Sequence, residues 1–117
     1  MKKNKIYHLT QCSTCKKVLA GLNTDSCVLQ DIKEKPVSGV ELDELAALAG
    51  SYEALFSRKA MKYRAMGLHL KTLDEKDYRR MILSEYTFLK RPVIRVGKKV
   101  FAGSAKAVVD QARLALA

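Results

Sequence analysis

The sequence contains no long run of apolar residues, and only three of its 117 residues are cysteine. A membrane-spanning helix needs about 20 consecutive apolar residues, which the chain lacks. Its basic first residues lead into no hydrophobic segment typical of a signal peptide. We therefore expect a cytoplasmic protein without a membrane span. A disulfide framework would need more cysteines in an even number, and a chain of this length can bury a core without one.

Acidic residues are also scarce. The chain has 12 Asp and Glu against 22 Lys and Arg, which gives a formal net charge of +10. This excess favours partners that carry negative charge, such as nucleic acid, acidic proteins or anionic small molecules. The basic residues are scattered rather than grouped, which disfavours nucleic acid on charge alone. Since linkers, repeats and low-complexity segments are lacking too, the sequence predicts one domain over residues 1–117, expected to be a monomer.

The apolar pattern begins with a β-α-β unit, which favours a parallel strand pair with a right-handed crossover. A helical insert and a β-β-α unit follow. This order predicts an α/β protein with the thioredoxin-like fold, a small mixed β-sheet flanked by helices. The expected elements are a strand over 5–9, a helix over 13–22, a strand over 27–32, the helical insert over about 38–87, two short strands around a Gly97-Lys98 turn, and a final helix.

Two capping boxes predict helix starts inside the insert, Ser38 with Glu41 and Thr72 with Glu75. The spacing of apolar residues then predicts which side chains face the core. For the helix after the second box these are Tyr78, Met81, Ile82 and Tyr86. For the final helix they are Ala105, Val108, Val109, Ala112 and Leu116.

Cys12 and Cys15 form a CxxC pair that admits three interpretations. Zinc needs three or four ligands, and the chain offers neither a second CxxC nor an HxxxH motif, so no metal site is predicted. Two buried, inert thiols are the second interpretation. The third is a redox pair, which a CxxC beside a β-α-β unit favours. In that position Cys12 lies at a helix N-terminus, where free N–H groups, the helix dipole and the nearby Lys16 and Lys17 stabilise a thiolate.

The remaining cysteine and the histidines have weaker signals. Cys27 begins a predicted buried strand and is expected to be a core thiol. His8 could pair with Cys12 across the turn, or be a strand-end histidine without a catalytic part. His69 falls in a connecting loop, and we assign no role to it.

Three segments in register resemble one family across essentially the whole chain. "IYHLTQCSTCKK", "LFSRKAMKYRAMGL" and "LKRPVI" are similar to the arsenate reductase-like proteins, which include the Spx transcription regulators. The resemblance implies a thioredoxin-like fold with an inserted helical lobe. It also implies that Cys12 is the nucleophile, that Arg58 and Arg91 bind an anion, and that His8 and Pro92 support the site. Pro92 resembles the family's cis-proline, so a cis Arg91–Pro92 peptide is expected.

Two departures from the family pattern bear on the substrate. Arsenate reductases have a third arginine in the last strand–helix turn, where this chain has Ala102 and Gly103. Those that depend on glutaredoxin generally lack the second cysteine, which is present here as Cys15. We therefore predict weak or absent arsenate reduction with anion binding retained, unless Lys98, Lys99 or Lys106 compensates.

Two classes of function follow. In the first, an enzyme without a bound cofactor uses Cys12 to attack an oxyanion such as arsenate, or a glutathione mixed disulfide. Cys15 or glutathione resolves the adduct, and glutathione, glutaredoxin or thioredoxin supplies electrons. In the second, the chain is an Spx-like regulator whose Cys12–Cys15 disulfide changes its binding to RNA polymerase. The sequence leaves both open.

Overall fold

The computed structural model describes residues 4–117, so the first three residues of the predicted domain lie outside it. Three 3₁₀ helices, Glu53–Leu55, Leu68–Leu70 and Tyr86–Phe88, accompany the regular elements. The latter are β1 (Asn4–His8), α1 (Ser13–Ala20), β2 (Cys27–Asp31), α2 (Gly39–Ala49), α3 (Met61–Ala65), α4 (Glu75–Ser84), β3 (Val93–Val96), β4 (Lys99–Ala102) and α5 (Lys106–Ala115).

The four strands form one mixed sheet in the order β2-β1-β3-β4. β1 pairs in parallel with β2, so α1 forms the crossover between them. β3 pairs antiparallel with β1 and with β4. The β3–β4 turn is the predicted two-residue hairpin, in which Val96 pairs with Lys99 and Gly97 takes a φ of 61°. The predicted α/β, thioredoxin-like fold is confirmed.

Two apolar cores lie on opposite faces of the sheet, because neighbouring strand residues point to opposite sides. Ile6 and Ile94, which face each other in register, are fully buried with α1 and α5 on one face. Tyr7 and Val93, the next pair, pack against the helices of the insert on the other face. The insert thus supplies one of the two layers that cover the sheet.

Glu41 ties the first helix of the insert to β1. Its carboxylate accepts hydrogen bonds from Lys5 Nζ at 2.9 Å, from the Tyr7 hydroxyl at 3.1 Å and from the Ser38 N–H at 3.1 Å. The last of these belongs to the predicted capping box, which is confirmed. Burial opposes ionisation of Glu41, but these hydrogen bonds and the Lys5 charge lower its pKa to about 2.

The second predicted capping box is wrong. α4 begins after Asp74, whose side chain accepts from the Asp77 N–H, while the Asp77 carboxylate accepts from the Asp74 N–H. Aspartate caps at least as well as threonine, so the cap lies two residues beyond Thr72. Tyr78, Met81 and Ile82 are buried as predicted. Three predicted core residues are not buried: Tyr86 lies half-buried in a 3₁₀ helix, Ala105 is an exposed N-cap, and Val108 is half-buried.

No helix in the described part of the chain is long and apolar enough to cross a membrane.

Candidate active site

Cys12 lies on the turn that joins β1 to α1. Its N–H donates to the Leu9 carbonyl at 3.0 Å, which closes the turn, and its own carbonyl accepts from the Lys16 N–H at 3.1 Å. Asp31, at the end of β2, holds the same turn by accepting from the Thr10 N–H at 3.1 Å. Cys12 is therefore the N-cap of α1, with extended backbone angles and a half-buried side chain.

The first turn of α1 stabilises a negative charge on the Cys12 sulfur. No side chain caps this helix end, and its first turn carries no acidic residue. Burial is the largest single influence and acts against ionisation. It is outweighed by hydrogen bonds from the Cys15 and Thr14 backbone and the Cys15 thiol, and by the charge of Arg91, so the pKa of Cys12 is lowered. The thiolate is the reactive form of cysteine, so the lowered pKa is consistent with the predicted nucleophile, which stays a prediction.

Cys15 behaves in the opposite way. Its side chain is fully buried one helical turn beyond Cys12, and burial raises the pKa of the Cys15 thiol to about 11, aided by the neighbouring Cys12 sulfur. The pair is thus divided into an ionisable outer thiol and a protonated inner one. Cys27 is buried in the core against the α1 and α5 face, which confirms its prediction as a core thiol. All three cysteines are free thiols.

Cys12 opens into a cleft of about 530 Å³ whose lining, within residues 4–117, has four cationic side chains and no carboxylate. Such a lining attracts anions and favours their retention. The volume falls within the usual range for small-molecule sites and exceeds what a single tetrahedral oxyanion needs. The lining residues are Cys12, Thr14, Phe56, Ser57, Arg58, Lys59, Lys90, Arg91, Ala102, Gly103, Ser104, Ala105 and Val108.

A short antiparallel contact anchors the two segments of the chain that carry the basic pairs of the cleft. Phe56 pairs with Leu89 as an isolated bridge. The Ser57 N–H donates to the Phe88 carbonyl at 2.7 Å, and the Lys90 N–H donates to the Leu55 carbonyl at 2.8 Å. Arg58 and Lys59 follow the first segment, and Lys90 and Arg91 lie at the end of the second. Because the segments run antiparallel, the two pairs lie at opposite ends of this contact, and both line the cleft.

Arg58 lies in the cleft, as predicted, but it is already engaged. Its Nη2 donates to Glu53 at 2.6 Å and to the Tyr78 hydroxyl at 2.9 Å, and its guanidinium carbon lies 5.7 Å from the centre of the Tyr78 ring. The hydrogen bond to Glu53 is the main reason that the pKa of Arg58 is raised. An anion bound here would share Arg58 with Glu53.

Arg91 lines the same cleft as Cys12 and precedes a cis peptide bond to Pro92, as predicted. Within residues 4–117, the ion pairs leave Arg91 without a carboxylate partner. Its charge contributes to the lowered pKa of Cys12. Arg91 is therefore available to an anion that approaches the sulfur.

The turn between β4 and α5 forms the remaining wall. The Gly103 N–H donates to the Pro92 carbonyl at 2.9 Å, which holds this turn beside the basic segment. Ala102 and Gly103, the positions of the absent arginine, both line the cleft. The three lysines expected to compensate are not in the lining: Lys98, Lys99 and Lys106.

Lys59 and Lys90 line the cleft instead, and the sequence analysis missed both. Each stands directly beside a predicted arginine, in the dipeptides Arg58-Lys59 and Lys90-Arg91. Two cationic pairs in segments already assigned to the site were a usable signal. Both lysines are distant in sequence from the absent arginine, whereas the prediction named only lysines close to Ala102 and Gly103.

The structure also bears on His8 and on the interpretation of the CxxC pair as a metal site. His8 lies at the end of β1, half-buried, and is not part of the cleft lining, so the structure does not group it with the predicted anion site. In residues 4–117, no cluster of three or more His, Cys, Asp or Glu side chains is arranged to hold a metal ion.

The sequence matches a family model described as the ArsC family over residues 7–112. In structure, the YFFB protein is similar with a TM-score of 0.79 and 24% identity, over 97% of this chain and 99% of its own. The arsenate reductase from Vibrio cholerae is 23% identical with a TM-score of 0.74, over 97% of both chains. An arsenate reductase-related protein from Brucella melitensis is 22% identical with a TM-score of 0.69, over 93% and 92%. No curated protein sequence matches significantly.

Proposed function

Because this chain belongs to the ArsC family, we propose that it is a thiol oxidoreductase in which Cys12 attacks an anionic substrate held in the basic cleft. The observation that carries the proposal is the position of Cys12. Its sulfur lies at an uncapped helix N-terminus, has a lowered pKa, and opens into a cleft with four cations and no carboxylate.

The first step is nucleophilic substitution by the Cys12 thiolate. With a glutathione mixed disulfide, its sulfur forms a new S–S bond to glutathione, and the other thiol leaves as a thiolate that takes a proton from water. With arsenate, the sulfur bonds to arsenic, and a protonated oxygen of the arsenate takes a second proton from solvent and leaves as water. Arg91, and Arg58 in exchange with Glu53, would balance the negative charge of either substrate.

Cys15 would resolve the adduct. Its thiol must first lose a proton, which its pKa of about 11 opposes, chiefly because the side chain is buried. Adduct formation removes the smaller part of this opposition that comes from the Cys12 sulfur. The Cys15 sulfur then bonds to the Cys12 sulfur. Glutathione leaves as a thiolate, or arsenic leaves with the electron pair as arsenite. The Cys12–Cys15 disulfide that remains needs two electrons, which glutathione, glutaredoxin or thioredoxin would supply.

The size of the cleft favours the mixed disulfide of glutathione over arsenate. A tripeptide with two carboxylates can contact several of the four cations at once, whereas one tetrahedral oxyanion cannot fill about 530 Å³. Arsenate remains the second substrate, since a fork donor such as Arg91 suits a tetrahedral anion as well.

The test is a turnover assay with cysteine–glutathione mixed disulfide and, in parallel, arsenate, each with glutathione and glutaredoxin. We expect turnover of the mixed disulfide that Cys12→Ser abolishes. In Cys15→Ser, a glutathione adduct on Cys12 should persist and be visible by mass spectrometry without added reductant. Cys27→Ser is the matched control and should retain activity. Absence of turnover with both substrates, together with absence of the adduct, would refute the proposal.

The regulator remains the alternative from the sequence. It predicts that purified protein captures RNA polymerase, and that diamide oxidation of Cys12 and Cys15 changes the amount captured. Redox-dependent capture without turnover would replace the enzyme with the regulator.

A further inference from the structure

Lys59 and Lys90 are the two cations of the cleft without a part in the proposed chemistry, and of these Lys59 is exposed whereas Lys90 is half-buried. The backbone of Lys90 is fixed by the hydrogen bond to Leu55 in the short contact described above. Its side chain is half-buried, lines the cleft and has no carboxylate partner in the ion pairs of residues 4–117. An unpaired ammonium in the same cleft as Cys12 is therefore free to contact a negatively charged substrate.

The course of the Lys90 side chain is defined by Gly103. A Cβ placed on Gly103 would lie 3.7 Å from Lys90 Cδ, so the aliphatic stem of Lys90 passes at van der Waals distance from the position that a side chain would take here. Any longer side chain at position 103 would need the space that the Lys90 stem fills. Gly103 also has a φ of 96°, in the left-handed region that glycine adopts without strain.

We propose that Lys90 is a specificity-determining residue that supplies a third cation, beside Arg58 and Arg91, for substrates with more than one negative charge. It reaches the β4–α5 turn from the opposite wall, where Ala102 and Gly103 carry no charge of their own. The ammonium is a point charge on a flexible stem rather than a planar fork. It therefore suits a mobile carboxylate better than the fixed geometry of a tetrahedral oxyanion.

This inference rests on the proposed function for its substrate, but its test does not require turnover. Iodoacetate and iodoacetamide alkylate thiolates by the same displacement of iodide, and they differ by one negative charge. The ratio of their rate constants at Cys12, read by mass spectrometry of the Cys12 peptide, reports the positive potential at the sulfur. Differences in the pKa of Cys12 cancel in the ratio.

We expect Lys90→Gln to lower the iodoacetate-to-iodoacetamide ratio by about two- to fivefold, the order of magnitude for the loss of one unit charge from a small water-filled cleft. Lys90→Met, which keeps the stem over Gly103, should lower it equally, and Lys90→Arg should retain it. Adding Ala102→Arg to Lys90→Gln should restore the ratio, because it returns a cation to the same end of the cleft. High salt should reduce all these differences.

Lys98→Gln is the matched control. It removes the same charge from the exposed β3–β4 turn, outside the cleft lining. If Lys90→Gln and Lys90→Met both show the ratio of Lys98→Gln, the proposed role of Lys90 is wrong. If wild type turns over neither substrate, while Lys90→Gln has lost the preference of Cys12 for iodoacetate, the proposed function is refuted and this inference stands.

Discussion

Phe56→Ala should destabilise the protein and loosen the cleft together. The Phe56 ring is fully buried and contacts three aromatic rings, with centroid distances of 4.9 Å to Tyr78, 5.2 Å to Phe88 and 5.9 Å to Tyr63. Truncation of a core phenylalanine to alanine costs about 3–5 kcal/mol. A domain of this size is stable by about 5–15 kcal/mol, so the change removes a large fraction of that stability. The melting temperature should fall by about 10–20 °C.

The cleft should respond because Phe56 lines it and forms the bridge to Leu89 that anchors the segments carrying the two basic pairs. Urea unfolding followed by circular dichroism gives the loss of stability. The iodoacetate preference of Cys12, measured at low temperature where the variant is still folded, gives the effect on the cleft. We expect both to fall.

Met61→Ala is the control for this prediction. Its side chain lies in the same helical insert but is 90% exposed, so its loss should change stability by less than about 0.5 kcal/mol. A loss below about 1 kcal/mol for Phe56→Ala would show that the insert core is not packed as described. A large loss of stability with an unchanged iodoacetate preference would refute the argument that this bridge assembles the cleft.

Three further predictions concern pH, redox and substrate. The folded-state pKa of Glu41, about 2, lies below its ordinary value of 4.5. The contribution of ionised Glu41 to the stability of the fold is therefore complete above pH 4.5 and is lost as the pH falls toward 2. In urea titrations, Glu41→Gln should lose less stability than wild type between pH 6 and pH 3. Equal losses would contradict this. Mild diamide oxidation should join Cys12 to Cys15 reversibly, as peptide mapping will show; bridges made only through Cys27 would exclude Cys15 as the resolving thiol. Wild type should reduce arsenate weakly, and Ala102→Arg should raise the rate by about ten- to a hundredfold, the worth of one charged hydrogen bond; efficient wild-type turnover would show that the third arginine is dispensable.

The fold was predictable because its signals are local and agree with one another. The β-α-β start, the capping box at Ser38 and the Gly97-Lys98 turn each specify an element within a few residues. The start of α4 was misplaced because Thr72 and Asp74 both offer an oxygen that can cap, and only the reciprocal bond to Asp77 decides between them.

The site was predictable only in part, because its composition depends on contacts across the chain. Cys12 could be placed from its position after the first strand. Lys90 could not, since its role depends on the bridge at Phe56 and on the approach of its side chain to Gly103, where a Cβ would lie 3.7 Å from its Cδ. Likewise nothing in the sequence spacing shows that Arg58 pairs with Glu53. The same guanidinium nitrogen also donates to the Tyr78 hydroxyl, which lies on a separate helix.

The pairing of Arg58 with Glu53 gives the cleft an internal competitor. Glu53 is half exposed and accepts from Arg58 at 2.6 Å, so an entering anion must exchange with a carboxylate that is always present at high effective concentration. Chloride, with one diffuse charge, gains little by that exchange, whereas a ligand with several charges can hold Arg91 and displace Glu53 in turn. The pair would thus act as a filter at Arg58, where it keeps the abundant small anions of a cell from occupying the guanidinium, while Arg91 stays open to them. Glu53→Gln should remove the filter, so chloride should slow alkylation of Cys12 by iodoacetate more in this variant than in wild type, and equal inhibition by chloride would argue against it.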